Sequence, residues 1–190
     1  MKRIVIPILA LFLSGCNDDV LPKPKAYLRL EYPNPSYSRS NILVPFEFDK
    51  NKISAPIASI KSENNGQSLG VTISYPDLKG TIYLTYKKVD SNLVDLLRDT
   101  QTLTQKHTLK ADAIESNLFE NPEKRVYGMF YEVGGNAASQ SQFYATDSLK
   151  HFISGSLYFY AKPNYDSLYP AAVYLKNDIR RIMESLEWKE

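Results

Sequence analysis

VTISYPDLKGTIYLTYK, residues Val71 to Lys87, is the stretch whose reading decides the fold class. β-Branched and aromatic residues alternate with polar ones in Val71 to Tyr75 and again in Thr81 to Lys87, the two-residue period of strands with one buried face. Between them Pro76 presets a turn dihedral and Gly80 tolerates positive φ. The segment Pro76 to Gly80 therefore predicts the turn of a β-hairpin.

Downstream, the period changes to that of a helix. Asp90 or Ser91 can cap a helix whose apolar residues Leu93, Leu96, Leu97 and Leu103 recur at helical spacing and which ends near Lys106. Four strand-like runs follow: Ala111 to Phe119, Arg125 to Val133, Gln140 to Thr146 and Phe152 to Ala161, with Gly134, Gly135 and Asn136 as a hairpin turn. Leu157 to Ala161 is apolar on both faces, which predicts a central strand with helices packed against it. A last helix is predicted to start near Pro170, with Leu175, Ile179, Ile182, Met183 and Leu186 as its apolar stripe and Lys176, Asp178, Arg180, Arg181 and Glu184 as its wet face. Strands joined mostly by short turns, with one helix mid-chain and one last, predict a single α+β domain: a largely antiparallel β-sheet packed against the two helices.

Upstream of the hairpin, Val44 to Phe48 alternates, and Pro45 assigns it to a sheet edge because it lacks an amide hydrogen. Tyr27 to Tyr32, closed by Pro33, reads as an initial strand or an extended arm. Asn17 to Lys25 holds two acidic residues, two prolines and two lysines with little to bury, and predicts an extended tether.

The first residues have another purpose. Lys2 and Arg3 precede a ten-residue apolar run, Ile4 to Leu13, which is too short for the roughly 20 residues a membrane-spanning helix needs. It suits the apolar region of a cleaved signal peptide. Leu13-Ser14-Gly15-Cys16 follows directly and resembles the lipobox of bacterial lipoproteins, in which the cysteine is alkylated with a diacylglycerol and becomes the new N-terminus. The domain organisation expected is a signal peptide over residues 1–15, a lipidated tether over 16–25 and a globular domain over 26–190. Asn17, rather than aspartate, after the cysteine points to the outer membrane, facing the periplasm.

Charge and cysteine usage exclude several classes. Loss of residues 1–15 leaves 21 basic against 21 acidic residues, so no basic nucleic-acid footprint exists. Cys16 is the only cysteine, which excludes intramolecular disulfides and cysteine-based metal clusters. His107 and His151 lie in no metal-ligand spacing. The first falls at a helix end and the second at a strand start, where structural roles suffice. No nucleophile elbow, P-loop or dinucleotide fingerprint is present. No catalytic residue, metal, cofactor or small-molecule substrate is expected beyond the lipid on Cys16. Among the 14 tyrosines, Tyr158, Tyr160, Tyr165 and Tyr169 could line a sugar or peptide groove, although tyrosines in sheet proteins more often cover core edges. An envelope hydrolase would need converging acids or a histidine oriented by a carboxylate. Asp147-Ser148-Leu149 and Asp166-Ser167-Leu168 resemble a short acceptor pattern for O-glycans, with Ser148 and Ser167 as candidate acceptors.

The lipobox, the segment Pro22 to Pro33 (PKPKAYLRLEYP) and the stretch from Phe159 to Trp188 together resemble the gliding motility-associated GldD lipoproteins over the whole chain. That resemblance implies a membrane-anchored cell-envelope lipoprotein required for surface gliding, acting without catalysis beside other motility lipoproteins and the type IX secretion machinery. Binding is then its work. Tyr27, Arg29, Glu31 and Tyr32, close to the tether and mixing aromatic with charged groups, form a candidate partner contact. A first strand whose Tyr27 and Leu28 complete the core is the competing reading of the segment Tyr27 to Pro33.

Overall fold

A computed structural model describes residues 30–57, 60–63, 66–106, 111–160 and 165–189. Its centre is a seven-stranded sheet built from β4 (Ile60–Glu63), β5 (Ser68–Tyr75), β6 (Gly80–Lys88), β7 (Ala111–Asn121), β8 (Val126–Gly135), β9 (Ser139–Thr146) and β10 (His151–Phe159). They lie in the order β4-β5-β6-β10-β9-β8-β7, with every pairing antiparallel. The earlier strands β1 (Tyr37–Arg39) and β3 (Asp49–Asn51) pair with each other, and β2 (Phe46–Glu47) pairs with β11 (Glu187–Trp188). The α+β class and the antiparallel sheet read from the sequence are both present.

The hairpin β5–β6 forms as its alternation dictates, with Val71↔Leu84 and Ile73↔Ile82 in register on the core face. Its turn works differently from the expectation. Pro76–Leu78 is a single 3₁₀ turn, and the positive φ, +49°, falls on Lys79. Gly80 is needed for space instead: a methyl there would overlap Leu175 Cδ1 and stand 3.2 Å from Phe159 Cε1. Glycine at this position lets the C-terminal helix sit down on the sheet.

After β6 the chain leaves the sheet centre through helix α1 (Leu93–Lys106) and re-enters at the far edge as β7, from which β8, β9 and β10 meander back to pair with β6. This route makes β10 the central strand, as its two apolar faces require. Ile153 and Leu157 face helix α2 (Tyr165–Glu184), whereas the adjacent Phe152 packs with Val89, Leu96, Leu93 and Leu97 under α1. Consecutive strand residues point to opposite faces, so the two helices sandwich the middle of the sheet.

Several local expectations are corrected. Helix α1 is closed by Asn92, whose carbonyl accepts from Leu96 N–H at 3.0 Å, in place of Asp90 or Ser91. Its apolar stripe stops short, because Leu103 is exposed while Thr104 is buried and donates to Gln142 Oε1 at 3.0 Å. Gly134 and Gly135 remain paired with β7, and the turn begins at Asn136; Gly135 does use its freedom, at φ +86°. Helix α2 begins at Tyr165, so Pro170 lies inside it, in the second turn.

The core on the α2 face holds Phe46, Phe48, Tyr75, Phe143, Ile153, Leu157, Leu175, Ile179 and Ile182, all fully buried. Each side chain of this size contributes about 1.5–3 kcal/mol on leaving water. The alternation of Val44, Phe46 and Phe48 is real, and Pro45 sits at the edge as read, its carbonyl accepting from Lys189 N–H at 3.0 Å.

The β9–β10 turn rests on one carboxylate. Asp147 Oδ1 accepts from the backbone N–H groups of Leu149 (3.0 Å), Lys150 (2.8 Å) and His151 (2.8 Å). Burial pushes its pKa up, but these three donors outweigh burial and hold it below the usual carboxylate range. Asp147→Asn should cost about 1–2 kcal/mol at neutral pH, because the charge-assisted bonds weaken. The lowered native pKa means the wild-type advantage is complete above the unfolded carboxylate range and is lost as pH falls through the native value. Melting curves of both proteins at neutral and acid pH should therefore converge at the acid end; a constant offset would contradict this.

Candidate interaction site around the N-terminal arm

Of the residues expected to contact partners, Tyr27 and Arg29, like Cys16, lie outside the described residues. Glu31 is exposed. Tyr32 is half-buried, its ring centroid 5.0 Å from that of Tyr174 on α2, and burial pushes its hydroxyl pKa up. Residues 30–36 form no strand, and Tyr32 packs against the edge of the core, while Tyr27 and Leu28, which the competing reading places in the core, lie outside the described residues.

Beyond Tyr32 the arm is stitched to the C-terminal helix by polar contacts. Tyr174 donates its hydroxyl to the Pro33 carbonyl at 2.9 Å. Tyr37 donates to Asp178 Oδ1 at 2.8 Å, and Asn51 Nδ2 donates to both oxygens of the same carboxylate at 3.0 Å. Asp49 takes Arg181 through its Oδ2. Arg39 reaches Glu47 (3.1 Å), Asp49 (3.5 Å) and Glu187 (2.7 Å) and donates to the Ser185 carbonyl at 2.7 Å. One guanidinium thus joins β1, β2, β3 and β11 to the end of α2, using donors in a fixed fork.

Asp178 is the residue that sequence reasoning misplaced. Assigned to the wet face, it is 1% exposed. Its pKa is raised by burial, against the opposing hydrogen bonds of Tyr37 and Asn51. Tyr75, fully buried, lies close enough that burial first and the Asp178 charge second push its phenol far up, although its hydroxyl closes no hydrogen bond of ordinary geometry. A signal was available. Asp178 stands three residues after Leu175 and four before Ile182, on the apolar stripe itself.

The tyrosines do not gather into one groove. Tyr158 packs edge-on to Tyr83 at 5.9 Å, and Tyr160 shares a 2.6 Å hydroxyl contact with Tyr83, all on the sheet face away from α2. Tyr169 lines a cleft on the α2 side instead. Tyr165 begins α2, and its side chain lies outside the description. His107 is also outside the described residues. His151 stacks on Trp188 (5.1 Å between centroids) and meets the Tyr86 hydroxyl through Nδ1 at 2.9 Å, and burial lowers its pKa. Asp147 Oδ1 is engaged by backbone N–H groups, and the ring partners of this histidine among the described residues are Trp188 and Tyr86. Among the described residues no cluster of His, Cys, Asp and Glu could hold a metal ion, and no helix is long and apolar enough to cross a membrane. Ser148, at φ +67°, and Ser167, in the first turn of α2, are both exposed.

The arm and the helix it crosses lie within the reach of a family model that matches residues 17–188, described as gliding motility lipoprotein GldD. The chain belongs to the GldD family. No curated protein and no solved structure matches it. As a GldD lipoprotein it is a lipid-anchored component of the cell envelope associated with gliding motility. The match begins one residue after Cys16 and runs to Trp188, so it covers the expected tether after the cysteine and all but the last two residues of the expected globular domain.

Proposed function

We propose that the mature protein begins at acylated Cys16 in the outer membrane, facing the periplasm, and acts without catalysis as an assembly component, joining other gliding lipoproteins to the type IX secretion machinery. The observation that supports this reading is the arm. From Tyr37 to Asn51 the first described part of the chain is bonded to the C-terminal helix and its end through Tyr37, Arg39 and Asn51, so the part of the domain nearest the expected tether is built into its fold. Stable anchoring takes more than one acyl chain at about 0.8 kcal/mol per buried methylene, which a lipoprotein cysteine carries.

The test is Cys16→Ser in the native cell. The variant should lose the membrane fraction to a salt wash, lose gliding, and fail to co-purify with motility and secretion components that the wild type retains after crosslinking in membranes. Normal gliding by a wash-released variant would overturn the proposal. Intact mass of the native protein reports the acyl chains, and it also reports glycans on Ser148 and Ser167, which we assign as O-glycan acceptors; an unmodified mass at both serines removes that assignment.

A further inference from the structure

The sheet ends in two unlike edges. β4 is four residues long, whereas β7 runs for eleven, and among the described residues nothing pairs with its outer side. Proteins ordinarily blunt such an edge with proline, charged side chains, above all lysine, a bulge or brevity. The bulge in β7 lies at its start, between Ala111 and Ala113, and from Ile114 to Asn121 its register with β8 is regular. The strand contains no proline, lysine or arginine. It carries acid: Asp112, Glu115 and Glu120, all exposed.

Beside this edge, between β7 and α2, lie two clefts of about 370 and 230 Å³. Glu115, Val173 and Lys176 line the first, together with Gln140, whose side-chain oxygen is buried without a partner. Asn117, Phe119 and Glu184 line the second. Glu115, Asn117 and Phe119 are alternate residues of β7 opposite Glu132, Phe130 and Gly128, so they share the α2 face of the sheet. Glu132 is already held by Lys176 and Arg180, and Asp112, Glu115 and Glu184 are the other carboxylates that line the two clefts.

We propose that β7 is a docking edge for an extended, lysine- or arginine-rich segment of another protein, which adds antiparallel or parallel as an eighth strand. Main-chain hydrogen bonds to β7 supply the attachment, and alternate side chains of the incoming strand enter the clefts. A lysine or arginine suits them because its aliphatic stem covers Val173 or Phe119 while its charge reaches Glu115 or Glu184. A second copy of this chain would bring to this edge a strand with the same acids and no lysine or arginine, whereas a basic segment brings the opposite charge. This inference names a surface for the binding role proposed above and rests on that role.

The experiment uses the full lipoprotein in zwitterionic detergent with two synthetic ten-residue peptides, one alternating Lys and Val and the other alternating Glu and Val. Amide hydrogen exchange across residues 111–121 is the readout. The Lys peptide should slow the outward-facing amides of β7 about tenfold or more, and the Glu peptide should not. In the Glu115→Lys/Glu120→Lys protein, which keeps its melting temperature because both sites are exposed, the preference should reverse. No slowing by the Lys peptide, equal slowing by both, or amides already protected without peptide would each overturn the proposal. The last outcome means that the protein's own chain or a second copy covers the edge. Failure here with the membrane co-purification intact removes the docking edge and leaves the assembly role standing, so the two readings fail separately.

Discussion

Gly128→Ala is expected to abolish the native state. Gly128 sits in β8 opposite Ala145 of β9, and a methyl there would overlap the Tyr144 carbonyl oxygen and stand 2.9 Å from Ala145 Cα. Both obstacles are backbone of a neighbouring strand, so no side-chain rotation relieves them. The ladder must part or the strand must slide. Overpacking of this kind costs typically 1–3 kcal/mol where side chains can yield, and more where they cannot, against a total stability of about 5–15 kcal/mol. Gly134→Ala is the internal control. In the same strand, its methyl would meet only Ala113 O at 3.8 Å and N at 4.0 Å, ordinary contact, and its effect should stay within about 1 kcal/mol. Soluble yield and thermal melting of the pair decide the matter. If both variants melt alike, the close approach of β8 and β9 is not what requires glycine.

Asp178→Ala is expected to cost about 2–4 kcal/mol, seen as a melting temperature lowered by roughly 5–15 °C. The change deletes the acceptor shared by Tyr37 and Asn51 and leaves the buried Asn51 and the half-buried Tyr37 beside a cavity. Tyr37→Phe removes one donor and keeps the acceptor, so about 1 kcal/mol is expected there. The pH dependence separates charge from packing. Burial raises the native pKa of Asp178 above its unfolded value, so the folded state binds the proton more tightly. Its contribution to stability is therefore present at low pH and declines as pH rises through the window up to the native value, the opposite sign to Asp147. Asp178→Asn should be milder than alanine at neutral pH and should flatten this slope. An unchanged slope in Asp178→Asn would assign the pH dependence to another group.

The sheet was largely legible in advance because its strands carry their own period. Ile82, Leu84 and Tyr86 recur at every second residue, as do Ile153, Gly155 and Leu157, and observed boundaries differ from those read by a few residues. The three-residue β1 and β3 and the four-residue β4 are too short to show a period, and the two-residue β2 and β11 pair across about 140 residues of chain. Pro170 was read as a helix start because that is where proline costs least, yet α2 extends five residues before it. Of the interaction site, the arm was recognised by composition, but the side it docks on was not. Tyr32 and Arg39 take their meaning from Tyr174, Ser185 and Glu187, about 140 residues later.

Alternation and helical spacing are local properties, and so the amino-acid order alone determined the class of fold, the hairpin, the central place of β10 and the lipoprotein-like N-terminus. Environment is not local. Whether Asp178 meets water or Tyr37, whether Gly80 serves a dihedral or makes room for Leu175, and which strands end the sheet were decided only when the elements packed together, because burial belongs to surfaces brought together and not to the residues that carry them.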